Sequence, residues 1–212
     1  MSKIAAIVLA AGVASRYRAA GGLEPSKLVA PFHGEPLVRA AVNAALAAKL
    51  SVVVVTGHAR PAVEAALAGL EITMAHNSDF ATGLASSLKT GVAALPATAS
   101  GALVLLGDMP RVSPHVLARL ASAFAARPDA LAVIPVFAGQ RGNPVLLARA
   151  LFDEVAGLHG DEGARRLLKG ADAARVVEME FDDEAVALDV DTPEDLARAG
   201  YASQAARKES AP

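Results

Sequence analysis

Leu9-Ala10-Ala11-Gly12 closes an apolar run, and Arg16 follows four residues after Gly12. Small residues in such a loop let backbone N–H groups approach an anion, and a nearby cation neutralises phosphate charge. An ordinary tight turn has the same composition. Lys27, in Pro25-Ser26-Lys27-Leu28, is one of six lysines in the chain and precedes another strand-like stretch. By itself it reads as a solvated surface residue, and only Arg16 upstream shifts that reading. Asp108, in Leu106-Gly107-Asp108-Met109-Pro110, directly follows the apolar stretch Ala102–Leu106. Asp189 and Asp191 close a further stretch and, two residues apart, share one face of an extended strand. A magnesium ion carrying phosphates needs one or two protein carboxylates, because water and phosphate oxygens complete its octahedron. Asp108 and Asp191 are suited to supply that pair. Asp191-Thr192-Pro193-Glu194-Asp195 is also a helix start, with Thr192 and Asp195 as a capping-box-like pair. The two roles are compatible.

A second group of polar residues lies at Gly83, Ser86 and Ser87. Gly83 permits close approach of backbone, and the serine hydroxyls stand near a helix N-terminus, where a cap is the simpler reading, above all for Ser86. The five histidines (His33, His58, His76, His115, His159) show no metal-ligand spacing, although His58, after Gly57 at a strand end, is a candidate cleft residue. The G-x-G-x-x-G fingerprint and the Walker loop are both absent, which removes the two commonest nucleotide-binding motifs.

The elements that must position these residues are legible as an alternation. Ile4–Leu9, Val52–Thr56, Ile72–His76, Ala102–Leu106, Leu131–Val136 and Ala185–Val190 are short apolar runs of the kind buried parallel strands show. Between them, Pro36–Ala48, Pro61–Ala68, Leu84–Leu95 and Ser113–Ala126 carry helical patterns, the last with Ser113 as N-cap. Gly139–Asn143 is a turn cluster ahead of a short later strand. This order predicts an α/β fold, a three-layer α/β/α Rossmann-like arrangement with a mostly parallel sheet. Ligands then collect beyond the carboxyl ends of the strands. Residues 1–202 read as a single domain and 203–212 as a C-terminal tail.

Composition narrows the class. The chain has 212 residues, 53% of them hydrophobic, with 50 alanines and a net charge of −2. That much apolar surface excludes a disordered chain. With no cysteine, disulfides and thiolate metal sites are impossible. Near-neutral charge argues against a protein that coats nucleic acid or an anionic membrane. No apolar window approaches the roughly 20 residues of a membrane helix, and Met1-Ser2-Lys3 does not open a signal peptide. The expectation is a soluble, cytoplasmic protein with neither a nucleic-acid nor a membrane partner.

The arrangement L-A-A-G…R…K-L resembles the signature of the MobA-like nucleotidyltransferases, which include the enzymes attaching GMP or CMP to molybdopterin. The resemblance runs along the chain. Asn77 to Leu88 is similar to the family's N-x-x-x-x-x-G-x-x-S-S-L segment, Asp108 to its D-x-P aspartate, and Asp191 to the second ligand in D-x-D-T-P-E-D. Arg141-Gly142-Asn143-Pro144 and Gly160-Asp161-Glu162-Gly163-Ala164-Arg165 resemble its R-G-x-P and G-D-x-G-A-R segments. Two features depart from the pattern: Arg-Met-Gly is replaced by Arg16-Tyr17-Arg18, and Lys27 lies eleven residues after Arg16, further than is usual. Ala19–Glu24 reads as an insertion, which leaves the mutual geometry of Arg16 and Lys27 for the fold to decide.

The resemblance implies roles for these positions. The loop Leu9, Ala10, Ala11 and Gly12, with Gly83 and Ser87, binds the nucleotide. Arg16 and Lys27 stabilise charge on the departing pyrophosphate, and Asp108 and Asp191 hold Mg²⁺. Arg141, Gly142, Asn143 and Arg165 surround the acceptor, with Gly142 letting backbone approach a pterin and Asn143 hydrogen-bonding to it. Asp161 reads as the cap of a Glu162–Lys169 helix, and Arg166 as solvated. The implied reaction is direct displacement: the acceptor's phosphate attacks the α-phosphorus of an NTP and pyrophosphate leaves, with no side-chain nucleophile. L-A-A-G resembles the cytidylyl branch, and an Ala11 methyl would crowd a purine, so CTP with a molybdopterin-type acceptor is favoured. A molybdenum hydroxylase is the expected recipient of the product. The alternatives are transfer to another small phosphorylated acceptor, such as a sugar phosphate, and a non-catalytic cofactor-binding or assembly factor for a molybdenum enzyme.

Overall fold

The computed structural model describes residues 3–169 and 172–200, so the tail assigned to 203–212 lies outside the described residues. Strand β1 (Ile4–Ala10) shows why its sequence is apolar without alternation. Ala6, Val8 and Ala10 join a core on one face of the sheet, and Ile7 and Leu9 join a core on the other. Both faces of a parallel strand are covered, so every position is selected for burial.

After β1 come α1 (Ser15–Ala19), the two-residue strands β2 (Pro31–Phe32) and β3 (Glu35–Pro36), α2 (Leu37–Ala47), β4 (Ser51–Thr56), α3 (Arg60–Ala66) and β5 (Thr73–His76). The chain continues through α4 (Leu84–Ala93), β6 (Gly101–Leu106), α5 (Pro114–Ala126), β7 (Ala132–Phe137), β8 (Gln140–Arg141) and β9 (Val145–Ala148). It ends in α6 (Phe152–Val155), α7 (Ala164–Leu167) and β10 (Val176–Glu180). Residues 193–200 form a last helical stretch. The main sheet runs β10-β7-β9-β6-β1-β4-β5. β8 pairs with β7 beside this path, and all neighbours are parallel except β9, antiparallel to β6 and β7, and β8, antiparallel to β7. Residues of α2, α3 and α5 cover one face, and residues of α4, α6 and α7 the other. The expected three-layer architecture is present.

Local signals foreseen in the sequence recur. Ser113 caps α5 by accepting from Val116 N–H, and Gly139 lies in the tight turn joining β7 to antiparallel β8. Two expectations require correction. Ala185–Val190 is not a strand: Glu184–Val186 forms a 3-10 turn opened by the Asp183 side chain, which accepts from Ala185 N–H. Ala185, Val186 and Val190 are nevertheless buried, so burial rather than strand formation accounts for their apolar character. The second is an omission. β10 takes the edge of the sheet beside β7 with a half-exposed pattern, where Glu178 and Glu180 alternate with apolar residues. Edge strands carry charge because one side lacks a partner. Among the described residues, no helix is long and apolar enough to cross a membrane.

Candidate functional site

The carboxyl ends of β1, β4 and β6 form the floor of the site. Gly107 N–H donates to Leu9 O (3.0 Å) and His58 N–H to Ala11 O (3.0 Å), which pins the Leu9–Gly12 loop from both sides. Ala10 and Ala11 are buried. The Ala11 methyl lies against Gly57, where an added Cβ would stand 2.8 Å from it and 2.6 Å from Phe80 Cβ. Gly57 thus lets the Ala11 methyl and Phe80 approach the same backbone. Gly12 faces open space.

Downstream, Ala14 adopts a left-handed conformation and starts α1, which carries Arg16. The inserted residues fold back on this helix. The Tyr17 hydroxyl donates to Glu24 Oε2 (2.9 Å), and Gly22 lies flat on the Tyr17 ring, where a Cβ would sit 2.0 Å from it. Burial, then the bond to Glu24 and its charge, push the Tyr17 hydroxyl up to about 12. The extra length is thus taken up before Ser26. The buried Ser26 side chain accepts from Leu28 N–H (3.3 Å) and begins the 3-10 turn that carries Lys27.

Lys27 Nζ lies 2.7 Å from Asp108 Oδ2 and 2.9 Å from Asp191 Oδ1. The Arg16 guanidinium pairs with the other oxygen of Asp191. The four charges singled out from the sequence thus form one cluster, despite the unusual Arg16–Lys27 spacing. Burial alone would lower the Lys27 pKa, but the two carboxylates outweigh it and hold it above the ordinary lysine value. Asp108 follows β6 directly, and its carbonyl accepts from Val190 N–H (3.0 Å). That bond ties the Leu188–Asp191 segment to the strand end and replaces the strand expected there. Asp191 then opens the capping box: Asp195 accepts from Thr192 N–H (3.0 Å), and Thr192 Oγ1 accepts from Asp195 N–H (3.1 Å). The Thr192 hydroxyl and the N–H groups of Asp191 and Thr192 hold the Asp195 carboxyl below the usual range, against its partial burial.

Asp108 Oδ1 is buried and has no hydrogen-bond partner among the described residues. An orphaned carboxylate oxygen beside a paired one suits a hard cation. The described residues contain no group of three or more potential ligands. The Asp108 and Asp191 carboxylates fit a divalent cation that takes one or two protein ligands, rather than an all-protein cage.

Two adjoining cavities open above the cluster. One, about 560 Å³, is lined by Gly12, Lys27, Phe80, Ser87 and Asp108, among others. The second, about 530 Å³, is lined by Met109, Arg141, Asn143, Arg165 and Asp189, among others. Leu9, Leu84, Leu106 and Asp161 line both. The structure brings Lys27, Asp108, Gly83 and Ser87 to the first cavity with the loop, and Arg141, Asn143 and Arg165 to the second. Arg141 is also tethered to Glu178 through Nε (2.7 Å). Burial, with the Asp191 and Asp108 charges, pushes the Asp189 carboxyl above the usual range.

Several expectations shift at this level. Gly142 is not among the residues lining the second cavity: a Cβ there would meet Val186 O at 2.2 Å, so its smallness serves the 3-10 turn behind it. Gly83 has φ +111°, and its Cβ would lie 2.3 Å from the Gly160 carbonyl. The close approach it permits is to the Gly160–Asp161 loop, which also accepts from Ala85 N–H. His58 lines neither cavity. Asp161 caps no helix: α7 starts at Ala164 with Gly163 as its N-cap and no side-chain cap. It stands instead in the wall shared by the two cavities, a role that only the G-D-x-G-A-R segment itself signalled.

A family model described as the MobA-like NTP transferase domain matches residues 6–177. The chain is 28% identical over 198 residues to the molybdenum cofactor cytidylyltransferase of Escherichia coli (strain K12), covering 92% of this chain and 95% of that one. Among solved structures it resembles a nucleotidyl transferase from Methanothermobacter, with TM-score 0.81 and 30% identity over 95% of this chain and 98% of that one. It also resembles Rv0371c from Mycobacterium tuberculosis H37Rv, with TM-score 0.80 and 29% identity over 94% and 98% of the two chains. That protein has also been solved in complex with manganese, at TM-score 0.76, 29% identity and coverages of 93% and 97%.

Proposed function

The chain belongs to the MobA-like NTP transferase family, and we propose that it transfers CMP from CTP to the phosphate of molybdopterin, releasing pyrophosphate. The observation that carries this reading is the pair of adjoining cavities sharing Leu9, Leu84, Leu106 and Asp161, the first of them lined by Lys27 and Asp108, which the charge cluster joins to Asp191. Two substrates can meet there without a covalent enzyme intermediate. The choice of cytidylyl transfer to molybdopterin is supported by the similarity to the Escherichia coli enzyme along nearly the whole chain.

The nucleotide occupies the Gly12–Ser87 cavity, its phosphates toward Lys27 and the loop amides. The base lies against the apolar wall of Phe80 and Leu84. Asp108, through its free oxygen, and Asp191 would hold a divalent cation, which supplies charge neutralisation on the phosphates when bound. The manganese complex of the mycobacterial neighbour is compatible with such a site. Lys27 and Arg16 are held in place by the carboxylates before substrate arrives, so their charge is directed at the departing pyrophosphate with little reorganisation. Arg165 forms no ion pair among the described residues, and its side chain is available to a phosphate on the acceptor. The acceptor's phosphate oxygen attacks the α-phosphorus in line, and the P–O bond to pyrophosphate breaks as the new one forms. The product would serve a molybdenum hydroxylase.

The test measures pyrophosphate release with each NTP in the presence of molybdopterin. Release with CTP alone supports the proposal. Release only with another phosphorylated acceptor redirects it to that substrate, and binding without release points to a carrier.

A further inference from the structure

We propose that Asn77 fixes the hydrogen-bond polarity of Ser87, so that Ser87 presents its hydroxyl proton to an acceptor atom on the base of the bound nucleotide. This rests on the nucleotidyl-transfer reading of the cleft and goes beyond it in naming a positioning residue and the kind of atom it selects.

Asn77 is only 3% exposed. Its carbonyl oxygen accepts from Asp79 N–H (2.9 Å). A backbone donor must face the amide oxygen, so this bond turns the amide nitrogen toward α4. There Nδ2 donates to Ser86 Oγ (2.8 Å) and to Ser87 Oγ (3.0 Å). Both amide hydrogens are thus spent on the two hydroxyl oxygens. Ser86 passes its own proton back to backbone, at Gly83 O (2.8 Å) and Asp79 O (3.0 Å). Ser87 differs. It accepts from Asn77, it donates to no acceptor among the described residues, and it lines the nucleotide cavity.

A buried hydroxyl with its oxygen engaged and its proton free is a donor of set direction. The wall around it, Phe80, Ala81 and Leu84, is apolar and suits a flat ring, whereas the charged end of the cavity lies at Lys27 and Asp108. The partner of Ser87 is therefore a carbonyl oxygen or an unprotonated nitrogen of the base. A ring that offers an N–H at that place leaves two donors opposed and is disfavoured.

The test is titration of the native protein, Asn77→Asp, Ser87→Ala and the double variant with CTP and, separately, GTP, each with Mg²⁺. A carboxylate at position 77 takes protons from both serines and turns the Ser87 hydroxyl away from the ligand. The expected result is a loss of affinity on the order of tenfold for Asn77→Asp, and no further loss when Ser87→Ala is already present. In turnover, KM for the nucleotide rises while kcat changes much less. Asn77→Ser, which removes the enforced polarity without a buried charge, is the second variant: its smaller loss must likewise vanish beside Ser87→Ala. Equal losses with and without Ser87→Ala, in either folded variant, overturn the inference and leave the nucleotidyl-transfer reading standing. Failure of the native protein to bind either nucleotide overturns both.

Discussion

At the scale of single residues, the site is held by its own charges. Lys27 is nearly enclosed, with 12% of its side chain exposed, between Asp108 at 18% and Asp191 at 20%. Removing one member therefore affects stability as well as chemistry. For Lys27→Met, pyrophosphate release is expected to fall at least about a hundredfold. Stability should fall by up to about 3 kcal/mol, because two partly buried carboxylates lose their shared counter-ion; chemical denaturation measures that loss. Asp108→Ala acts differently. It removes the Lys27–Asp108 contact but leaves Lys27 paired with Asp191, so the stability loss should be smaller than for Lys27→Met, and the variant should abolish transfer while circular dichroism shows an intact fold. Unchanged turnover in Asp108→Ala would remove Asp108 from the site.

At the scale of elements, what positions the charges is a set of short, local devices. Thr192→Ala breaks the capping box that holds Asp191 at the start of the helical stretch 193–200. A loss of about 1 kcal/mol is expected, with a larger proportional loss of activity as Asp191 moves. The Ala19–Glu24 loop is held by Tyr17, whose neutral hydroxyl is favoured by folding because its pKa rises from 10.0 to about 12. The sign follows: the stabilisation is complete below pH 10 and is lost as pH rises toward 12. Ultraviolet titration of tyrosinate should show a phase with a midpoint near 12 that Tyr17→Phe abolishes. These elements differ in how far the sequence disclosed them. The strand β1, the Ser113 cap and the Thr192–Asp195 box depend on neighbours in sequence and were readable there. The Glu184–Val186 turn was not, because its burial comes from contacts such as Val186 O with Asn143 N–H (2.8 Å), which periodicity cannot distinguish from a strand.

At the scale of the whole molecule, the two cavities and the charge cluster occupy one end of the sheet, so ligand and fold stability are coupled. CTP with Mg²⁺ at about a hundred times its Kd should stabilise the native state by about 2.7 kcal/mol, which is roughly a 5–10 °C rise in Tm for a chain of this size. In Asp108→Ala the Mg²⁺-dependent part of that rise should disappear while any nucleotide-only part remains. A rise that is the same with and without Mg²⁺ in the native protein would argue against a cation at Asp108.

The sequence by itself determined the residue types at the site, the parallel α/β class and the family, since these are set by local spacing, strand-like apolar runs and motif order. Arg16, Lys27, Asp108 and Asp191 were all visible as charges at the ends of elements. Only the tertiary structure decided which of them touch. It showed the long Arg16–Lys27 separation absorbed by a loop folded on Tyr17. It also showed Gly83 lining the first cavity while packed on the Gly160 carbonyl, Gly142 packed against Val186, and Asp161 in the wall between the cavities instead of at a helix cap. Each of these depends on a contact between segments distant in sequence, and the direction of a side chain across such a contact is set by the packing of the whole sheet and its helices.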